Sequence, residues 1–171
     1  MGNSGGNILS RIFGMLGAAL ILIVVVIMIL LGADNVMDSY VQHVTTSFVD
    51  TCRTTGKIDR DAYNQYAKKI HGMGVFEISL QHDQKLAFSD GHNSRIGYYS
   101  HNTDQILTYM YESNDGEGAD YAMNNGDNLT IKIMRKKPSQ ALKLLSFLAG
   151  GGISNQPSLV VNYSGTVGSN G

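Results

Sequence analysis

The chain has 171 residues, 13 basic and 14 acidic, for a formal net charge of −1, with one cysteine and no tryptophan. So even a balance supplies no concentrated basic face, which excludes the usual signature of nucleic-acid binding. A lone Cys52 excludes an intramolecular disulfide, leaving a packed helix position or, in an exported protein, a pair with a neighbouring chain.

Residues 1–11 are short and glycine-rich, and Arg11 is their one charged side chain. Residues 12–31 (IFGMLGAALILIVVVIMILL) then run without a charged or strongly polar side chain. As a helix this stretch spans about 30 Å, the thickness of a bilayer's hydrocarbon core. It is apolar on every face, whereas a surface helix of a soluble domain keeps one face polar. The reading is a transmembrane helix, with Arg11 before it and no acid until Asp34, so the N-terminus is placed in the cytoplasm and residues 34–171 outside. Gly14, Gly17 and Ala18 put small side chains on the span, and Gly14 and Ala18 keep the four-residue spacing that lets membrane helices approach closely. A secretory signal peptide would have a shorter apolar run, and the best cleavage site, Leu31-Gly32-Ala33, has a bulky Leu where a small residue is preferred. The start Met1-Gly2 fits N-myristoylation except that position six is Gly6 rather than Ser or Thr.

The helical pattern continues past the span. Val36/Met37, Tyr40/Val41, Val44, Phe48 and Cys52 recur at three- and four-residue spacing, while Asp34, Asp38, Gln42, Thr45, Thr46, Asp50 and Arg53 are assigned to the remaining surface. No proline interrupts residues 8–55, and Gly56 is a C-terminal stop, so one helix of about 70 Å is expected. Met37, Val41, Val44, Phe48 and Cys52 are its packing residues against a folded domain.

Residues 59–70 read as a short second helix, with Asp59 or Asp61 at its start, Lys68-Lys69 at its end, and Tyr63, Tyr66, Ala67 and Ile70 as its inner stripe. Strict alternation over 76–81 marks a half-buried strand, and His82-Asp83-Gln84 reads as a turn into a second short strand at 86–88. A polar loop at 89–94 precedes an extended stretch at 97–99. Asn102-Thr103-Asp104 offers an N-cap for a helix to about Glu112, with Ile106, Leu107 and Met110 inward. Residues 113–128 form a glycine- and acid-rich loop. Leu129, Ile131 and Ile133 then alternate with Thr130, Lys132 and Met134 as a strand, 140–148 is a short helix, and 159–167 is a C-terminal strand. The expected fold class is α+β: an N-terminal transmembrane helix continuing as a long amphipathic stalk packed on a small antiparallel β-sheet. The corresponding segments are 1–11 (cytoplasmic tail), 12–31 (span), 32–55 (stalk) and 56–171 (extracytoplasmic domain), the last large enough to hold its own core.

Signatures of chemistry are sparse. His82, Asp83, Asp90, His92 and His101 crowd one loop-rich region, yet no histidine pair has the spacing of a zinc helix. Residues 112–120 (ESNDGEGAD) fail the calcium-loop pattern at several positions and read as a solvated loop. No nucleophile elbow, phosphate-binding loop or dinucleotide fingerprint occurs, so neither enzyme nor cofactor is expected. Arg135-Lys136-Lys137, Lys143 and the apolar Leu142, Leu145, Phe147 and Leu148 form a basic, apolar segment. It reads as a helix covering the sheet edge, the other reading being a dock for lipid headgroups or another subunit. Asn128-Leu129-Thr130 and Asn162-Tyr163-Ser164 match the glycosylation sequon.

The span 12–31, the stalk segment 41–58 (VQHVTTSFVDTCRTTGKI), and the segments 104–112 and 125–136 (NGDNLTIKIMRK) together resemble the pilin architecture. More narrowly they resemble the pseudopilin-like proteins of tight-adherence (Tad) pilus loci, the TadE-like proteins of Gram-positive bacteria. That resemblance implies a non-enzymatic, single-pass subunit of a surface pilus or related secretion apparatus, with the membrane and other subunits, or further copies of itself, as partners. Type IV prepilins are cut after a glycine and carry a glutamate at the fifth mature position. Here a cut after Gly6 puts Arg11 there, and no glutamate precedes Glu77, so the resemblance implies an uncut accessory or minor subunit rather than a shaft subunit. The other function class is a membrane-tethered binding module using the loops 89–101 and 113–128.

Overall fold

The computed structural model describes residues 4–89, 94–113, 117–151 and 157–168. In chain order the elements are α1 (Ser4–Thr55), β1 (Lys57–Ile58), α2 (Arg60–Gly72), β2 (Phe76–Ser89), β3 (Ser94–Asn102), α3 (Thr103–Glu112), β4 (Tyr121–Ala122), β5 (Asn128–Arg135), α4 (Gln140–Leu148) and β6 (Ser158–Thr166). The architecture is α+β, with a long N-terminal apolar helix and antiparallel sheets. By compactness the chain divides into Met1–Met37 with Ser139–Ser154, and Asp38–Pro138 with Asn155–Gly171.

The second unit is built on a four-stranded sheet in the order β3-β2-β5-β6, antiparallel throughout. The alternation seen in β5 has its physical consequence here: Leu129, Ile131 and Ile133 are fully buried, and they meet Phe76 and Leu80 of β2 and Val161 of β6 in one core. Ile106 and Met110 of α3, Ile70 of α2 and Val41 and Val49 of α1 add the helical side of that core. β6 carries an irregularity where Ile133 and Met134 of β5 face Val161 and Leu159, so Val160 is left over as a bulge.

Caps fix the short helices. Asp59 Oδ1 accepts from the Ala62 N–H at 2.8 Å and starts α2. Asn102 and Gln105 close a reciprocal capping box on α3, which places the cap expected within Asn102-Thr103-Asp104 at its first residue. α1 ends at Gly56, whose φ of 68° lies in the left-handed region where glycine carries no Cβ penalty.

The turn expected at His82-Asp83-Gln84 is not there. β2 runs unbroken for 14 residues, because His82 is a core residue with partners far away in sequence rather than a solvated turn residue. Residues 90–93 of the expected polar loop lie outside the described residues, as do 114–116 of the acid-rich one. Within that second loop β4 pairs with β1, Lys57 opposite Ala122 and Ile58 opposite Tyr121, a bridge too short to leave a periodic trace. β2 also outruns its neighbour: β5 pairs with it from Phe76 to Asp83, and from Gln84 to Ser89 it pairs with β3 alone. The result is a two-stranded arm.

The first unit holds the apolar part of α1 together with α4. The helix expected over residues 140–148 is present, and it groups with this unit instead of with the sheet whose edge it was expected to cover.

Candidate functional site

Residues 12–31 of α1 are long and apolar enough to cross a membrane. Their large side chains point outward all round: Phe13, Met15, Leu16, Ile21, Leu22, Met28 and Ile29 are each more than half exposed, Met15 at 75%. Gly14 and Gly17 have open space where a Cβ would stand, and Ala18 is exposed. The three sit within one turn of each other and make a smooth strip on the helix. Arg11, at the foot of the apolar stretch, is exposed.

The continuation of α1 is chemically different. Val41, Phe48 and Cys52 are buried and Met37 and Val44 are half-buried, so the five residues of the expected stripe face inward to different depths. Two further residues belong to the stripe. Val49 is fully buried, and Thr45, expected on the surface, is fully buried with its Oγ1 3.0 Å from the Tyr66 hydroxyl. Phe48 stacks on Tyr66 with ring centroids 4.4 Å apart and planes 2° from parallel, while Tyr63 sits tilted against both rings. Polar contacts fix the rim of the same face. Arg53 pairs with Asp50 at 3.0 Å and donates through Nε to the Thr166 carbonyl at 2.8 Å, the Tyr163 hydroxyl donates to Asp50, and Arg135 pairs with Asp38. Gly165 of β6 is required by that arrangement, since a Cβ there would occupy the place of the Arg53 side chain.

Burial, reinforced by Asp59, pushes the Cys52 thiol up to about 12, so it stays protonated and is a packing residue rather than a nucleophile or a disulfide partner. A groove of about 430 Å³ runs along the seam of α1 and α2, lined by Tyr40, His43, Val44, Phe48, Tyr66 and Lys69 among others.

A second constellation was not legible in the sequence. Asp127 and His82 are buried, with His82 Nε2 2.9 Å from Asp127 Oδ2 and His82 Nδ1 2.9 Å from the Tyr121 hydroxyl. Asp127 also accepts backbone N–H bonds from Lys85 at 2.8 Å and Asn124 at 2.6 Å. Burial pushes the Asp127 carboxyl up, but those two N–H groups and His82 outweigh it and leave it below its ordinary value. An ionised carboxylate only accepts, so His82 Nε2 carries the proton and, the ring being neutral, Nδ1 accepts from Tyr121. Burial also lowers His82 against the pull of Asp127, in keeping with that neutral ring. Burial raises the Tyr121 hydroxyl to about 12, so it keeps its proton and donates a hydrogen bond to Nδ1. His101 stacks on His82 at 5.6 Å, and Tyr99 and Tyr109 pack edge-on around the group. This Asp–His–Tyr chain ties β2, β4 and the loop before β5 together.

Of the metal candidates, Asp90 and His92 lie outside the described residues. His82 has both nitrogens engaged, and Asp83 accepts from Gln81 and Ser100. Among the described residues no group of three or more His, Cys, Asp or Glu side chains is placed to hold a metal ion. The acid-rich loop is not simply solvated, because Asp120 pairs with Lys57 at 2.6 Å and caps the Arg60 N–H. Compared with protein-family models, curated proteins and solved structures, the chain matches none of them.

Proposed function

We propose that this chain is a non-enzymatic, single-pass membrane subunit of a pilin-like surface assembly or a related secretion apparatus. In this reading α1 anchors it with the N-terminus in the cytoplasm, and residues 34–171 stand outside. The observation that carries the reading is the continuity of α1. One helix, Ser4–Thr55, is apolar on all faces over 12–31 and then buries a single stripe against a sheet-based domain. The open strip of Gly14, Gly17 and Ala18 suits close packing of the span against a neighbouring helix. The groove along the α1–α2 seam gives the outer part a second surface for a partner subunit.

The test is isolation from native membranes in mild detergent with an intact mass and identification of what co-purifies. A full-length mass together with pilus or secretion subunits is expected. Loss of Met1–Gly6 would move the protein from accessory to filament subunit, with Arg11 tolerated at the fifth position. A mass beginning near Asp34, with no assembly subunits attached, overturns the proposal.

One observation favours a second reading, a tethered binding module using 89–101 and 113–128. The β2–β3 arm beyond β5 exposes Phe88, Ile96, Tyr98 and Tyr99, and a lone two-stranded ribbon is weakly stable in water without something packed on it. Strong ligand affinity of the full chain that disappears with Tyr98→Ala, without any change in co-purifying subunits, favours this alternative.

A further inference from the structure

α4 differs from the other short helices in what it leaves outside. In QALKLLSFL the single charge is Lys143, and Phe147 is 79% exposed beside Leu148 at 49%. Two adjacent large apolar side chains on a nine-residue surface helix are unusual for a face that meets water. Lys143 stands one turn before Phe147, so cation and ring share one side of the helix.

Both ends of α4 are capped from within its own segment. Ser139 Oγ accepts from the Leu142 N–H at 3.2 Å, the Ala149 N–H donates to the Leu145 carbonyl, and the Gly151 N–H returns to the Ser146 carbonyl. Gly150 and Gly151, at φ 83° and 76°, make that last turn possible. Each such cap lowers the number of backbone groups that a medium poor in water would leave unanswered at a cost. The length of α4, about 13 Å, is far too short to cross a bilayer. Its unit membership supplies the remaining argument, since Ser139–Ser154 forms one compact unit with Met1–Met37, the part of α1 that holds the apolar stretch.

We propose that α4 is an interfacial helix that lies in the headgroup–acyl boundary of the bilayer spanned by α1, with Phe147 and Leu148 among the acyl chains and Lys143 at the phosphates. The occupant of this face is lipid, continuous with the lipid around the span, and the inference rests on the membrane reading of α1. Lys143 snorkels its ammonium to anionic headgroups while its methylenes stay among the chains.

The absence of tryptophan makes the test clean. Full-length Phe147→Trp is reconstituted into vesicles of phosphatidylcholine with a minority of phosphatidylglycerol, with and without brominated acyl chains, beside a Leu22→Trp control. A blue-shifted Phe147→Trp emission quenched by lipid brominated near the headgroup, with Leu22→Trp quenched by deep bromines, is the expected result. A water-like, unquenched Phe147→Trp beside a quenched Leu22→Trp overturns the proposal and leaves the anchor intact. If neither is quenched, the membrane reading falls and this inference falls with it. Adding Lys143→Glu to Phe147→Trp shifts the helix toward water about fivefold or more at low salt in the anionic vesicles. The same quenching with and without Lys143→Glu overturns the headgroup role of Lys143.

Discussion

The two halves of α1 are one regular helix with opposite relations to their surroundings. Over 12–31 every direction is apolar and most large side chains are exposed, with Ile23, Ile27 and Leu30 half-buried and Gly14, Gly17 and Ala18 forming a strip of small residues. Over 38–55 one stripe is buried, Val44 only partly, and its rim is pinned by Asp38–Arg135, Asp50–Arg53 and the Tyr163 hydroxyl. Helix geometry is common to both, so the difference lies entirely in what the side chains require of the medium. The lower half asks for lipid, and the upper half supplies its own partner.

Substitutions that act on one half alone sharpen that contrast. The largest effect belongs to Phe48→Ala, which removes a ring stacked on Tyr66 and touching Tyr63, and costs about 3–5 kcal/mol. Thermal unfolding of the full chain in mild detergent reads it, and Leu22→Ala in the same assay leaves the transition in place. An equal loss from Leu22→Ala would erase the distinction. Next comes Val25→Arg, a charge at the centre of the span, which costs about 3 kcal/mol of insertion and moves the protein out of the carbonate-resistant membrane fraction. The folded domain should keep its unfolding transition in that variant.

A smaller effect tests the Asp–His–Tyr chain. Asp127→Asn leaves His82 with a weaker partner and costs about 1–3 kcal/mol by urea unfolding at pH 7. His82 has a folded value below its ordinary 6.5, so the unfolded chain takes up that proton first. Its contribution is whole above 6.5 and drains away as pH falls below 6.5 toward the folded value. Asp127, held below its ordinary 3.8, contributes above 3.8 and loses that contribution only as pH falls through its own folded value. The urea midpoint therefore declines from pH 7 to pH 5, and His82→Phe flattens the slope. A midpoint that rises with acid would reverse the assigned proton positions. Smallest is Asp59→Ala, which opens the cap of α2 and costs about 1 kcal/mol, visible as a modest shift in the same transition.

What was legible follows from how locally each element is determined. Residues 12–31 and the stripe through Val41, Phe48 and Cys52 carry their signal in consecutive turns, and the alternation of Leu129, Ile131 and Ile133 does the same for β5. The caps expected within Asn102-Thr103-Asp104 and at Asp59 or Asp61 fall at Asn102 and Asp59, each satisfied within three residues. Thr45 was missed because its partner, Tyr66, stands 21 residues on, and nothing local marks a threonine as answered. His82 was misread for the same reason, since its partners Tyr121 and Asp127 lie 39 and 45 residues away. Val49 escaped because it sits one position beyond a single row of contacts, while the packed face is wider than one row. The place of α4 depends on compactness with a segment more than a hundred residues earlier, and local pattern has no access to that.

Cys52 makes the packing of the upper half measurable without a label having to be designed. Its thiol is shielded and held protonated up to about 12 for only as long as the stripe around it stays closed. A thiol-specific reagent therefore reacts through the state in which the chain has opened around this position, and at high reagent concentration its rate becomes the opening rate. Labelling kinetics of the full chain in mild detergent convert one buried atom into a clock for local unfolding.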